Sequence, residues 1–335
     1  MKVAVFDTHR FERAALERVN ALAGEGERHE LSFFEPTLTA QTAALAEGFP
    51  AVCIFVHDFL DAAAVEALAA GGTRLVALRC AGFNNVDLHA AEKAGLRVVR
   101  VAEYSPYAVA EHAIGLLMAL NRKLPRAYIR VRDGNFSLDG LVGFDLHGKT
   151  VGVIGTGKIG AVFSRIAKGF GCRLLAHDLR RNEALVAETG IEYASLDRIY
   201  AEADVISLHV PLFKETFHMI DAAALAKMKP TAVLVNTSRG ALIDAAALSD
   251  ALKAKQIGGA ALDVYEEEED LFYRDLSGEV LQDDVLARLL TFPNVLITAH
   301  QAFLTEEALN AIARTTLENV AAFEAGKPLS FEVKA

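Results

Sequence analysis

The chain has 335 residues, 52% of them hydrophobic, and a formal net charge of −10 at pH 7. That length exceeds one ordinary core and suits two domains. Apolar residues spread from end to end argue against a disordered or tail-bearing protein. A net negative chain also offers no basic field to a phosphate backbone, which sets nucleic acid aside as a partner.

Residues 1–7 read as a strand, with neither the apolar core nor the small-residue cleavage site of a secretory signal. No run of about 18 apolar residues follows, so no membrane span is expected. Cys53, Cys80 and Cys172 are odd in number and lack CxxC or metal-ligand spacing. Free thiols in a reducing cytoplasm, and no metal site, are the expectation.

Strand-like runs at residues 3–6, 31–34, 52–56, 75–78 and 98–101 alternate with helical patterns such as 10–22 and 62–70. This alternation implies parallel sheets with helices on both faces. Tyr104-Ser105-Pro106 marks a break, because proline ends the preceding strand and presets a helix entry. The pattern restarts with a strand at 150–154 and continues with strands at 173–176, 205–208, 233–235, 260–264 and 295–298, before a long helix over 305–325.

The strand at 150–154 runs into Gly155-Thr156-Gly157-Lys158-Ile159-Gly160, which opens a helix. A bare GxGxxG is a weak signal; between a strand and a helix, with an acidic residue ending the next strand, it reads as a dinucleotide loop. Gly155 permits the tight turn, Gly157 lets the backbone approach a pyrophosphate, and Gly160 allows close helix–sheet packing, with helix amides meeting the anion. Asp178, 18 positions after Gly160, can accept from ribose hydroxyls and repel a 2′-phosphate, which favours NAD. Arg180 and Arg181 pull the other way.

Three later segments each follow a strand: Asn236-Thr237-Ser238-Arg239-Gly240, Asp263-Val264-Tyr265-Glu266-Glu267-Glu268 and Ala299-His300-Gln301-Ala302-Phe303. A cation, a carboxylate and an imidazole therefore come to the carboxyl ends of parallel strands, where open α/β sheets bind ligands. Reduction of a 2-oxo acid needs this set. An arginine grips the carboxylate and polarises the carbonyl. A histidine supplies the proton, and a carboxylate orients the histidine and keeps it protonated near neutral pH. Singly, Arg239 reads equally as a surface cation, and the acidic run 266–270 as a solvated loop.

On these motifs the chain resembles the D-isomer-specific 2-hydroxyacid dehydrogenases over essentially its whole length. The resemblance implies two doubly wound parallel-sheet α/β domains. A Rossmann NAD-binding domain (104–299) is inserted into a discontinuous, flavodoxin-like substrate domain (1–103 and 300–335). It implies Arg239 as the substrate-binding cation, Glu268 as the partner of the histidine, and His300 as the proton donor. The stretch Arg79-Cys80-Ala81-Gly82 looks like the family's substrate loop, and Tyr104 and Phe303 match aromatics that close a small pocket in lactate-type members. Matched cofactor contacts are Gly155, Thr156, Gly157, Lys158, Ile159, Gly160, Asp178, Val210, Pro211, Thr237, Ser238 and Asp263. Thr216 stands where other members carry asparagine. Residues 263–284 and 301–305 are most similar to the lactate-type branch, so pyruvate and D-lactate are the implied substrate pair, NAD the cofactor, and a homodimer or homotetramer the implied assembly. Two rivals remain. One is a broader reductase of 2-oxoisocaproate or phenylpyruvate. The other is an NAD-sensing corepressor of the same fold, against which the pocket aromatics and the absence of a disordered regulatory tail weigh.

Overall fold

A computed structural model describes residues 1–24, 28–268 and 271–335. Glu269 and Asp270, the end of the acidic run, lie outside the described residues. The strands, in chain order, are β1 (Lys2–Val5), β2 (Glu30–Phe33), β3 (Ala51–Ile54), β4 (Leu75–Leu78), β5 (Arg97–Val99), β6 (Thr150–Ile154), β7 (Arg173–His177), β8 (Glu192–Tyr193), β9 (Val205–Leu208), β10 (Val233–Asn236), β11 (Gly259–Leu262), β12 (Val295–Ile297) and β13 (Glu332–Val333).

The chain divides into two compact units, one of Met1–Ser105 with Leu304–Ala335 and one of Pro106–Phe303. His300 and Phe303 therefore fall in the second unit, whereas the sequence reading put residues 300–303 with the first. The physical reason is local: the backbone N–H groups of His300, Gln301 and Ala302 all donate to Asp263, deep in the second unit.

In the first unit the sheet order is β13-β5-β4-β3-β1-β2. Strands β1 to β5 run parallel, and β13 is antiparallel to β5. The sequence reading expected parallel strands alone. The two-residue β13 caps the edge of β5, and Glu332 takes a two-pronged contact from Arg97 at 2.6 and 2.8 Å. That covers an edge otherwise open to pairing. Successive strand residues point to opposite faces, so each strand serves two cores. Ala4, Val52, Ile54, Val76 and Leu78 pack on one side. Val3, Val5, Ala51, Cys53, Leu75 and Ala77 pack on the other, with Ala15 and Leu16 of helix Arg10–Leu22 and with Ala313, Leu317 and Val320 of helix Glu306–Glu324.

The second unit has the order β12-β11-β10-β9-β6-β7-β8, all parallel. The same two-sidedness holds: Val151, Val153 and Val205 face one core, Ile154, Ile206 and Leu208 the other. Strand order reverses between β6 and β9, the switch point where such sheets bind ligands at their carboxyl ends. Helix starts are fixed by short polar side chains: Asp61, Asn182, Asp244 and Thr305 each accept the N–H three residues on.

Candidate active site

At the carboxyl end of β6 the three glycines of the loop have different surroundings. Gly155 has φ of 94° and lies against the carbonyl of His209. A methyl group on Gly160 would overlap the carbonyl oxygen of Gly155. Gly157 caps the helix Lys158–Gly169, and no atom lies within 4 Å of where its methyl would be. Two glycines thus fold the loop and the middle one leaves it open, as a phosphate cradle at a helix N-terminus requires. His209 was not singled out by the sequence. Its Nε2 meets Ser207 Oγ at 2.9 Å, its Nδ1 is buried without a partner among the described residues, and its ring packs on Phe163. Burial drives its pKa down to about 3, so it underlies the loop as a neutral ring.

Asp178, one residue past β7, is fixed by the same loop. Its Oδ2 accepts from Thr156 N (2.6 Å) and Thr156 Oγ1 (3.1 Å), and its Oδ1 from Arg180 N (3.0 Å). Partial burial alone would raise its pKa, but the N–H donors of Arg180 and Thr156 and the Thr156 hydroxyl outweigh it, and the carboxyl ends below its ordinary value. Arg181, the competing cation, pairs with Glu183 at 3.2 Å and lies over the ring of Tyr193. Thr237, after β10, buries a hydroxyl that finds no hydrogen-bond partner among the described residues, as expected of a group whose partner is a ligand. The residues present therefore fit a bound NAD. Thr216 is turned inward on its own loop, accepting from Phe213 N and donating to Pro211 O, both at 2.8 Å. It shapes the turn beside Val210 and Pro211.

The loop after β10 owes its form to Asn236, which is fully buried. Its Oδ1 accepts Ser238 N and its Nδ2 donates to Arg239 O, while Ser238 Oγ donates to Leu208 O. This presents Arg239, half-buried, whose guanidinium makes one hydrogen bond, to Ser238 O at 2.7 Å, and no ion pair among the described residues. Its remaining donors suit a planar carboxylate.

His300 Nδ1 lies 2.7 Å from Glu268 Oε1, and the other carboxylate oxygen accepts Tyr265 N at 2.9 Å. With Nδ1 engaged, Nε2 is the nitrogen left to exchange a proton. His300 has a φ of 49°, uncommon for a residue with a side chain, and four hydrogen bonds hold it there. Its N–H donates to Asp263 O (2.7 Å), its carbonyl accepts from Tyr273 Oη (2.6 Å), and the N–H groups of Gln301 and Ala302 end on the Asp263 carboxylate (2.9 and 2.8 Å). Asp263, wholly buried, also accepts from Thr298 Oγ1 (2.5 Å) and faces His112 Nε2 at 3.3 Å. Burial pushes its carboxyl up, and His112, Thr298 and the two N–H donors more than reverse this. The sequence placed Asp263 among cofactor contacts; its carboxylate is already the anchor of the histidine loop. His112 and Tyr273 carried no local signal.

Of the first unit's expected residues, Cys80, Ala81 and Gly82 follow β4, and Tyr104 lies near the end of the unit's first segment. Arg79 needs a correction. Its side chain is 1% exposed, pairs with Glu12 through Nε (3.1 Å) and Nη2 (3.2 Å), and donates to the carbonyls of Phe6, Asp7 and Cys53. A guanidinium so spent is structural, and its side chain does not serve the substrate. Arg239, Glu268, His300 and Phe303 all belong to the second unit. Among the described residues no cluster of three or more His, Cys, Asp or Glu could hold a metal ion, and no helix is long and apolar enough to cross a membrane.

Residues 114–302 match the family model described as the NAD-binding domain of D-isomer specific 2-hydroxyacid dehydrogenases. The chain is 53% identical to a D-lactate dehydrogenase of Escherichia coli over 327 residues, 98% of each chain. Among solved structures it is similar to apo D-lactate dehydrogenase from Escherichia coli, with a TM-score of 0.91, 50% identity, and coverage of 99% of this chain and 100% of that one. It is also similar to the pyruvate reductase of Chlamydomonas reinhardtii, with a TM-score of 0.93, 46% identity and 98% coverage of each.

Proposed function

Because the chain belongs to the D-isomer-specific 2-hydroxyacid dehydrogenases, we propose that it reduces pyruvate to D-lactate with NADH. The observation that carries the reading is the His300–Glu268 pair, held by Asp263 in a loop that leaves Nε2 to the substrate. When bound, the reduced nicotinamide supplies a hydride to the carbonyl carbon. Arg239 holds the substrate carboxylate and draws electron density toward the carbonyl oxygen. As charge develops on that oxygen, His300 passes it the proton on Nε2. Glu268, hydrogen-bonded to Nδ1, fixes the orientation of the ring so that Nε2 faces the substrate. Gly155, Thr156, Gly157, Lys158, Ile159 and Gly160 cradle the pyrophosphate, and Asp178 takes the ribose hydroxyls. Val210, Pro211, Thr237 and Ser238 flank the cofactor, with Thr216 supporting their loop. Cys80, Ala81 and Gly82 serve the substrate through their backbone, and Tyr104 and Phe303 limit its side chain.

The test is NADH oxidation across pyruvate, 2-oxobutyrate, 2-oxoisocaproate and phenylpyruvate, with chiral analysis of the product. Pyruvate should give the highest kcat/KM and D-lactate the product. A preference for the branched or aromatic acid would leave the family intact and remove the lactate reading, since each methylene in an apolar pocket shifts discrimination by about 1–3 kcal/mol. A cytoplasmic location goes with this reading. So does a homo-oligomer, supported by helix Leu124–Arg132, which buries no residue of its own. That helix and the stretch after it expose Tyr128, Ile129, Phe136, Leu138 and Val142. An exposed apolar face of this extent is what a second copy of the chain would cover in a homo-oligomer. A monomer by light scattering at micromolar concentration would refute it.

A further inference from the structure

Two residues before Glu268, a second histidine–carboxylate pair has no part in the chemistry above. His218 Nε2 lies 2.5 Å from Glu266 Oε1, and Glu266 Oε2 accepts the N–H of Ala245 at 3.3 Å. His218 has a φ of 49°, and its ring stacks on Phe217 with centroids 3.9 Å apart. A residue with a side chain holds that conformation only where its surroundings over-determine it. The pair is partly buried, with 28% and 20% of the two side chains exposed.

Its position gives it reach. The His218 N–H donates to Ala241 O, Ile220 N–H to Leu242 O and Asp244 N–H to Ile220 O, so 218–220 runs as an added parallel bridge beside 241–244. That second segment begins two residues after Arg239. Gly240 in turn packs so closely on the peptide between Tyr265 and Glu266 that no side chain fits between them. Three loops converge: the one after β9 with Val210 and Pro211, the one after β10 with Arg239, and the one after β11 with Glu268. The imidazole and Glu266 join the first to the third, with the second held between.

We propose that His218 and Glu266 are positioning residues for the reduction, fixing Arg239 and Glu268 in register by tying together the loops that carry them. Neither needs to touch substrate or cofactor. This rests on the oxo-acid reading of Arg239 and Glu268. A donor on Nε2 is what the geometry demands of His218, and glutamine can offer one at similar reach. Displacing a substrate-gripping group by about 1 Å costs roughly 10²-fold in rate.

The experiment compares His218→Ala, His218→Gln, Glu266→Gln and the double variant His218→Ala/Glu266→Gln with the parent. It measures kcat and KM for pyruvate, Kd for NADH by fluorescence, and the thermal midpoint. His218→Ala should lower kcat/KM for pyruvate about 10- to 100-fold, through both kcat and KM, with NADH Kd within about threefold. His218→Gln should recover most of the loss, and the double variant should be no worse than the worse single one. Four results would overturn the proposal: unchanged pyruvate kinetics in His218→Ala, a loss confined to NADH affinity, additive losses in the double variant, or a fall in kcat matched by an equal fall in the folded fraction. If the parent reduces another 2-oxo acid in place of pyruvate, the lactate reading fails while the same comparison on that acid still decides this one.

Discussion

Replacing Asp263 by asparagine preserves shape and removes one acceptor from a site that uses both oxygens. Oδ1 takes Thr298 Oγ1 and Gln301 N, with His112 Nε2 at 3.3 Å, and Oδ2 takes Ala302 N. Whichever way the amide turns, its NH2 faces a donor, so at least one buried N–H or hydroxyl loses its acceptor. That costs about 1–3 kcal/mol, or about 2–4 °C of thermal midpoint per kcal/mol in a unit of this size. The catalytic cost has a separate origin. His300 keeps its left-handed backbone because residues 300–302 are tied to Asp263, and a displacement of about 1 Å would lower kcat roughly 10²-fold. That reaches only the lower end of the 10²–10⁴-fold expected when the proton donor is lost outright. The assay is kcat and KM for pyruvate, NADH Kd and thermal midpoint for the parent, Asp263→Asn and His300→Gln. A lowered midpoint with parental kcat would refute the anchoring argument. A rate loss that vanishes at saturating NADH would assign the effect to the cofactor instead.

Three further outcomes follow from the geometry. Glu268→Gln keeps a hydrogen bond to His300 but makes it neutral; the difference between charged and neutral bonds, about 1–1.5 kcal/mol, should lower kcat roughly tenfold with little change in pyruvate KM, and an equal kcat would deny Glu268 its role. Gly157→Ala should fold normally and lose NADH affinity, whereas Gly160→Ala, which meets Gly155 O, should lose about 1–3 kcal/mol of stability; the reverse pattern by fluorescence titration and melting would show the open face to be elsewhere. His209 has its pKa lowered from 6.5 to about 3 by burial, so below pH 6.5 the unfolded chain binds a proton that the folded one refuses. Its contribution is complete above pH 6.5 and is lost as pH falls toward 3, by up to about 1.4 kcal/mol per unit. His209→Gln should flatten that stretch of the stability curve, and an unchanged slope would count against a neutral buried ring.

Strands and the glycine loop were legible in the sequence because their signals are local. Two-sided β3 and β4 are short unbroken apolar runs, and helices Arg10–Leu22 and Ala62–Ala70 coincide with their periodic patterns. Arg239, Glu268 and His300 were legible as a cation, a carboxylate and an imidazole after parallel strands, the set that reduction of a 2-oxo acid needs, and the resemblance singled out each residue for its role. What escaped was held by partners far along the chain. Arg79 beside a ligand loop looks like a ligand cation, and Glu12, 67 positions away, turns it inward together with the carbonyls of Phe6, Asp7 and Cys53. His112 reaches Thr298 across 186 positions and His218 reaches Glu266 across 48. Two-residue β13 is too short for any pattern.

The inward turn of Arg79 also decides where the loop that follows can bend. Its N–H donates to Ile54 O, and its guanidinium clasps the carbonyls of Phe6, one residue past β1, and of Cys53, within β3. Cutting either side of the Arg79–Glu12 pair would strand a buried charge, a loss of about 3–5 kcal/mol. Residue 79 is therefore a fixed post, and any movement of Ala81 and Gly82, proposed above to serve the substrate through their backbone, must pivot at or beyond Cys80. Amide exchange at Arg79 should be as slow as in the strand interior, with a step to faster exchange within the next few residues. Substitutions that retune the response of that loop to different acids belong on its far side, where they leave the post in place.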